Sequence, residues 1–184
     1  MKWPRSYNSS RQVYHLVLDS SSIITLTELD VLREIFKRLA TQASALRVII
    51  PSRVLEELER SSISIDQYNE AYQVMVFNAN DMEINLPQGL GEGEKEAILI
   101  ALSLMKLSNV IVITDDKKAR KTCEKLKINA LGTLGLVELL KKHKIISRIE
   151  ALALIQKIPN TSLYITPQLL EKAQHKIETQ KLWK

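Results

Sequence analysis

Apolar residues cluster along the chain in short runs that alternate with helical patterns. The clearest run is Val110-Ile111-Val112-Ile113, four aliphatic residues bounded by polar ones. Such a run predicts a strand buried on both faces. It ends at Thr114-Asp115-Asp116, and apolar spacing of helical period resumes with Ala119, Cys123 and Leu126 between Lys117 and Lys127. The segment from Gln12 to Leu18 predicts another strand and runs directly into Asp19 and three serines, a strand-to-helix turn. Leu46 to Ile50 predicts a third strand, with Pro51-Ser52 opening the helix that follows. Ile128 to Leu131 predicts a last short one.

Between these strands, Leu29, Leu32, Ile35, Phe36 and Leu39 give Ile23 to Leu39 the period of a helix. The stretch from Ser61 to Asn80 is first polar and then helical in period (Tyr68, Ala71, Tyr72, Met75, Val76), and predicts a surface helix or arm. Met82 to Leu86 predicts a short strand or extended connector, and Leu90 to Lys106 a long helix. Helices are further expected over Leu136 to Lys142, Ser147 to Ile158, and from the Thr166-Pro167 start to about Ile177. Strands alternating with helices in this way predict an open parallel α/β sheet.

Composition narrows the class. The 184 residues suffice for one domain with a full core, and 45% hydrophobic with 26% charged residues is ordinary for a globular chain. No apolar run has the length of a membrane span, and the polar start has no signal-peptide core, so a cytoplasmic protein is expected. One cysteine, Cys123, excludes an internal disulfide. With three scattered histidines it also leaves no zinc spacing. The net charge of +5 suits a polyanionic partner. Aromatic content of 5% argues against a base-stacking platform. Nucleotide-binding glycine loops and a nucleophile elbow are absent.

Acids stand where these elements meet. In parallel α/β sheets ligands bind at the carboxyl ends of strands, where Asp19 and the Asp115–Asp116 pair lie. One Asp is explained as a helix cap; two adjacent ones are less easily explained. On the helix after Ser52, Glu57 shares the face of Val54 and Leu58, whereas Glu56 and Glu59 point away with Arg53 and Arg60. In the 90–106 helix, Glu94 heads the apolar row Ile98, Ala101, Met105. Glu92 and Glu96 fall on the side of Ser103, where the helix dipole is reason enough for them. Clustered carboxylates repel unless a cation intervenes. An all-oxygen set favours Mg²⁺ or Mn²⁺. Lys117, Lys118 and Arg120, just past the acid pair, are the expected phosphate-binding cations.

The order of the segments LVLDSSSIITL, VIIPSRVLEEL, LGEGEKEAILIAL, VITDDKKAR and ALGTLGLVELLKKHKII resembles the PIN-domain nucleases, especially an archaeal and bacterial branch of PIN-like proteins that includes toxin-type members. The resemblance covers roughly residues 13–146. It implies a three-layer α/β/α sandwich and metal-dependent RNA cleavage, often by a toxin held by an antitoxin. It implies Asp19, Glu57, Glu94 and Asp116 as the catalytic, metal-binding acids and Asp115 as a frequent additional ligand. Ser21 and Thr114 match hydroxyl positions that orient those acids. Position 94 departs from the pattern, being Glu where active members mostly have Asp. The expected organisation is a tail at 1–12, the domain at 13–146 and a helical extension at 147–184, read as a homodimer face or partner site. Two other readings remain open: a PIN-fold module that binds RNA or protein without cutting, and a phosphotransfer domain, for which the chain offers no convincing acceptor.

Overall fold

The computed structural model describes residues 13–42, 46–77 and 84–179. The expected 1–12 tail and residues Met82 and Glu83 of the expected 82–86 connector lie outside them. A five-stranded parallel sheet forms the centre, in the order β3-β2-β1-β4-β5. Its strands are β1 (Tyr14–Leu18), β2 (Leu46–Pro51), β3 (Tyr72–Met75), β4 (Asn109–Ile113) and β5 (Asn129–Leu131). The chain steps outward from β1 to β3, then returns to lay β4 against the other side of β1. The boundary between β1 and β4 is therefore the switch point, where helices leave neighbouring strands in opposite directions and a crevice opens.

The layers follow from the two-residue period of the strands. Leu16, Leu18, Val48, Ile50, Ile111 and Ile113 face one core, shared with α1 (Ser20–Glu28), α2 (Leu32–Gln42), α3 (Ser52–Arg60), α6 (Thr133–Lys142), α7 (Arg148–Lys157) and α8 (Pro167–Thr179). Val17, Ile49, Val110 and Val112 face the second core, under α4 (Glu92–Leu104) and α5 (Lys117–Lys125). This is the α/β/α sandwich. The C-terminal helices are part of the larger core through Ala151, Leu154, Ile155, Ile158, Ala173 and Ile177. Arg38 of α2 clamps them, pairing with Glu150 at 2.8 Å and donating to the Ile145 carbonyl at 3.1 Å.

Two expected elements differ from those formed, and a third is decided between its alternatives. The single helix expected over Ile23 to Leu39 is two, α1 and α2, separated at Asp30, whose φ of 56° is left-handed. Asp tolerates that region better than most residues. The expected helix within 61–80 is a 3₁₀ turn over Asp66–Ala71 followed by β3. Tyr72 to Met75 match a helical period by residue type, but pairing with Val48–Pro51 of β2 satisfies their backbone in extended form. Of the two alternatives for 82–86, the described residues 84–86 take the connector and form no strand.

Candidate functional site

Asp19 follows the last residue of β1 and caps α1. It is 2% exposed. Its Oδ1 accepts from the Ser22 amide at 3.1 Å, the Ser22 hydroxyl at 3.1 Å and the Ser21 hydroxyl at 2.8 Å. The nearby Thr114 side chain acts on it in the same sense as these donors. Burial raises the Asp19 pKa above the usual carboxylate range, and these donors oppose that rise. One strand away, Asp116 caps α5 and its Oδ1 accepts from the Ala119 amide at 2.6 Å. The two strand ends are stitched together. Ser21 Oγ accepts from the Asp115 amide at 3.3 Å, and Thr114 Oγ1 accepts from the Asp116 amide at 3.2 Å. Ser21 thus touches both strand ends.

Glu57 and Glu94 arrive from α3 and α4. Glu57 Oε2 accepts from Ser20 Oγ at 2.7 Å, and its Oε1 from the Gly93 amide at 2.9 Å. The helices approach so closely here that a Cβ on residue 93 would lie 2.7 and 2.9 Å from the Glu57 oxygens and 2.9 Å from Val54 Cγ2. Only glycine fits at 93 without displacing the carboxylate. Glu94 Oε2 accepts from the Gly91 amide at 2.8 Å, the one half of a capping box that a glycine N-cap allows. Burial raises the Glu94 pKa, the Gly91 amide opposes that, and the charges of Asp116, Asp19 and Glu57 raise it further. Carboxylates from three other segments therefore bear on Glu94 at the switch point. Among the described residues none of the four has an ion-pair partner.

Asp115 stands apart from that group. Both its oxygens are engaged by Thr133 at the start of α6, Oδ1 by the amide at 2.9 Å and Oδ2 by the hydroxyl. The expected additional metal ligand is thus a brace between β4 and α6. Arg120 and Lys118 also have structural partners. Arg120 donates to the Thr114 carbonyl at 2.8 Å and lies 3.9 Å from Asp115 Oδ1, and Lys118 donates to the Gln88 carbonyl. Lys117 is exposed.

Glu96, explained in sequence by the helix dipole alone, is 5% exposed. It accepts from the Ser52 hydroxyl at 2.9 Å, the Arg53 amide at 2.7 Å and the Phe77 amide at 3.0 Å. It fastens the start of α3 to α4 and to the segment after β3. Ser20, Gly93 and Thr133 likewise shape the site. Of these only Gly93 carries a sequence signal, a glycine inside a helix that is otherwise well formed. Cys123 is buried, and burial pushes its thiol up to about 11, so it is an inert core residue.

An acid cluster at the switch point of a parallel sheet, under helices that each contribute one carboxylate, defines a class of α/β proteins built to manage concentrated negative charge. A family model described as DUF3368, a PIN domain, matches residues 15–179. The chain belongs to the PIN-domain family, whose members are generally nucleases. Among solved structures it is similar to a PilT N-terminus domain protein from the hyperthermophilic archaeon Sulfolobus solfataricus P2. That likeness has 20% identity and a TM-score of 0.48, over 66% of this chain and 89% of that one. No curated protein matches the chain.

Proposed function

We propose that the protein is a divalent-metal-dependent endoribonuclease with its active site at the β1–β4 switch point. The observation that supports this most is the set Asp19, Glu57, Glu94 and Asp116, in which the first, second and fourth charges act on Glu94 and none of the four has a paired cation among the described residues. Elsewhere Glu34, Glu56, Glu92, Glu138 and Glu150 each have an arginine or lysine partner, whereas these four stand together without one among the described residues. Four unpaired acids left together imply a counter-charge that arrives with function.

The donor chemistry fits a hard divalent cation. All four side chains offer only oxygen, and none of the chain's histidines is among them. Glu94 Oε1 and Asp116 Oδ2 have no hydrogen-bond donor among the described residues, while their sister oxygens are tied to caps. Among the described residues no group of three or more acid, histidine or cysteine side chains is already arranged to hold a metal ion. The fit is therefore one of donor type and free oxygens. Asp19, Glu94 and Asp116 would hold Mg²⁺ or Mn²⁺. Bound there, the ion would acidify a water and offset the charge that builds on a phosphodiester in displacement.

The remaining steps belong to the chain. The Ser21 and Ser22 donors fix the Asp19 carboxylate and oppose the effect of its burial. Glu57, held at both oxygens by Ser20 and Gly93, is fixed in place to orient the attacking water. Exposed Lys117, one residue past Asp116, neutralises a substrate phosphate. Asp115 and Arg120 hold the strand end to α6 and α5 without touching substrate.

Cleavage of mixed-sequence single-stranded RNA by the purified chain tests this. Cutting is expected with Mn²⁺ or Mg²⁺ and none with EDTA. Cutting that persists undiminished in EDTA contradicts the metal-dependent mechanism. RNA bound but never cut, with either ion, favours a PIN-fold binding module instead.

A further inference from the structure

Beyond the acid cluster, α5 and the edge strand β5 enclose an open cavity of about 630 Å³. Its lining is the α5 face Lys117, Arg120, Lys121 and Glu124, continued by Lys127 and Asn129. The first four recur at i, i+3, i+4 and i+7, so one side of the helix supplies them all. The groove begins one residue after Asp116 and follows the nine-residue helix, about 13 Å, away from the acids. Four cations stand against one acid. Arg120 is committed to the Thr114 carbonyl. Lys117, Lys121 and Lys127 have no ion-pair or hydrogen-bond partner for their ammonium groups among the described residues.

Lys127 occupies a position that backbone physics would give to another residue. Its φ is 60°, left-handed. Its amide donates to the Glu124 carbonyl at 3.1 Å, and the Ile128 amide to the Cys123 carbonyl at 2.8 Å, closing α5 in the manner of a Schellman turn. Glycine is the favoured residue there. The same left-handed close ends α3 at Ser62 and α6 at Lys144, so what sets Lys127 apart is its place in the groove lining.

We infer that this groove is the track for the single-stranded RNA backbone on one side of the cleavage point, with Lys121 and Lys127 as phosphate-positioning residues. The inference rests on the nuclease reading above. Charge and continuity with the acid cluster point to a polyanion. A protein partner would be expected to find an exposed aromatic or aliphatic anchor, but the apolar lining is Ala130 and Ile128, the latter only 5% exposed. With no aromatic ring in the lining, binding reads backbone rather than base. A duplex, stiff over many base pairs, would bridge such a concavity rather than enter it.

The test is fluorescence anisotropy of a labelled single-stranded RNA with the full chain in EDTA, across a salt series. Lys121→Glu and Lys127→Gly should each weaken binding severalfold. Lys127→Gly should also lower the salt dependence by about 0.7 in log–log slope, with a melting temperature no lower than wild type. Lys172→Glu, on exposed α8 in the opposite layer, should leave affinity nearly unchanged. Wild-type affinity in both groove variants, while the wild type still cuts RNA, overturns the track and leaves the nuclease standing. Equal loss in Lys172→Glu, or tighter binding of duplex than of single strand, also overturns it. Failure of the wild type to bind or cut any RNA overturns both readings.

Discussion

Asp116→Asn is expected to reduce RNA cleavage by at least about a hundredfold, the scale on which removing one preorganised transition-state contact acts. The fold should persist. Asparagine caps helices as well as aspartate does, and its carbonyl oxygen can still accept from the Ala119 amide now bonded at 2.6 Å. Without metal, the variant should be slightly more stable than the wild type, because Asp116 is one of the charges acting on Glu94. Relief of about 0.5 kcal/mol corresponds to a rise of about 1–2 °C in Tm for a chain of this size. Calorimetry beside the cleavage assay reads both effects. Lost activity with a lowered Tm would instead make Asp116 a structural cap.

The largest stability effect is expected from Glu96→Ala. The side chain satisfies three donors, two of them backbone amides, in a site 5% exposed. Each buried donor left unpaired costs about 1–3 kcal/mol. Ser52 can turn its hydroxyl elsewhere, so a total near 3 kcal/mol is expected, or a fall of about 6–12 °C in Tm. Glu96→Gln should fall between wild type and Glu96→Ala, since its amide group cannot accept from Arg53 while its carbonyl still serves Ser52 and Phe77. Activity should fall too, because α3 carries Glu57. Denaturant unfolding followed by circular dichroism checks this. A wild-type midpoint in Glu96→Ala would show that these bonds contribute nothing in solution.

The contrast between Glu96 and Glu94 shows where sequence stops being informative. The sheet was legible because β1, β2 and β4 are continuous aliphatic runs, and each run ends at a change of period. The acids at strand ends were legible for the same reason, since a strand's end fixes its position in the fold. Face arguments along a helix worked for Glu57, whose neighbours Glu56 and Glu59 are exposed or paired with arginine. They failed for Glu96 because α4 is buried nearly all round, from Gly93 through Ala101. Its partners come from the start of α3 and the segment after β3, far away in sequence. Strand β3 was missed because four residues cannot establish a period, and its pairing with β2 is a tertiary fact. Asp115 was read in sequence as an additional ligand beside Asp116; only α6 folding back beside β4 gives it Thr133 as a partner.

Calorimetric titration of Mn²⁺ into the metal-free protein, beside Asp116→Asn and Asp19→Asn, tests the acid cluster most directly. Saturable binding by the wild type, with at least one ion per chain, should be lost or greatly weakened in both variants. Equal binding by all three proteins, or none by a wild type that nevertheless cuts RNA, would contradict a metal site at the β1–β4 switch point.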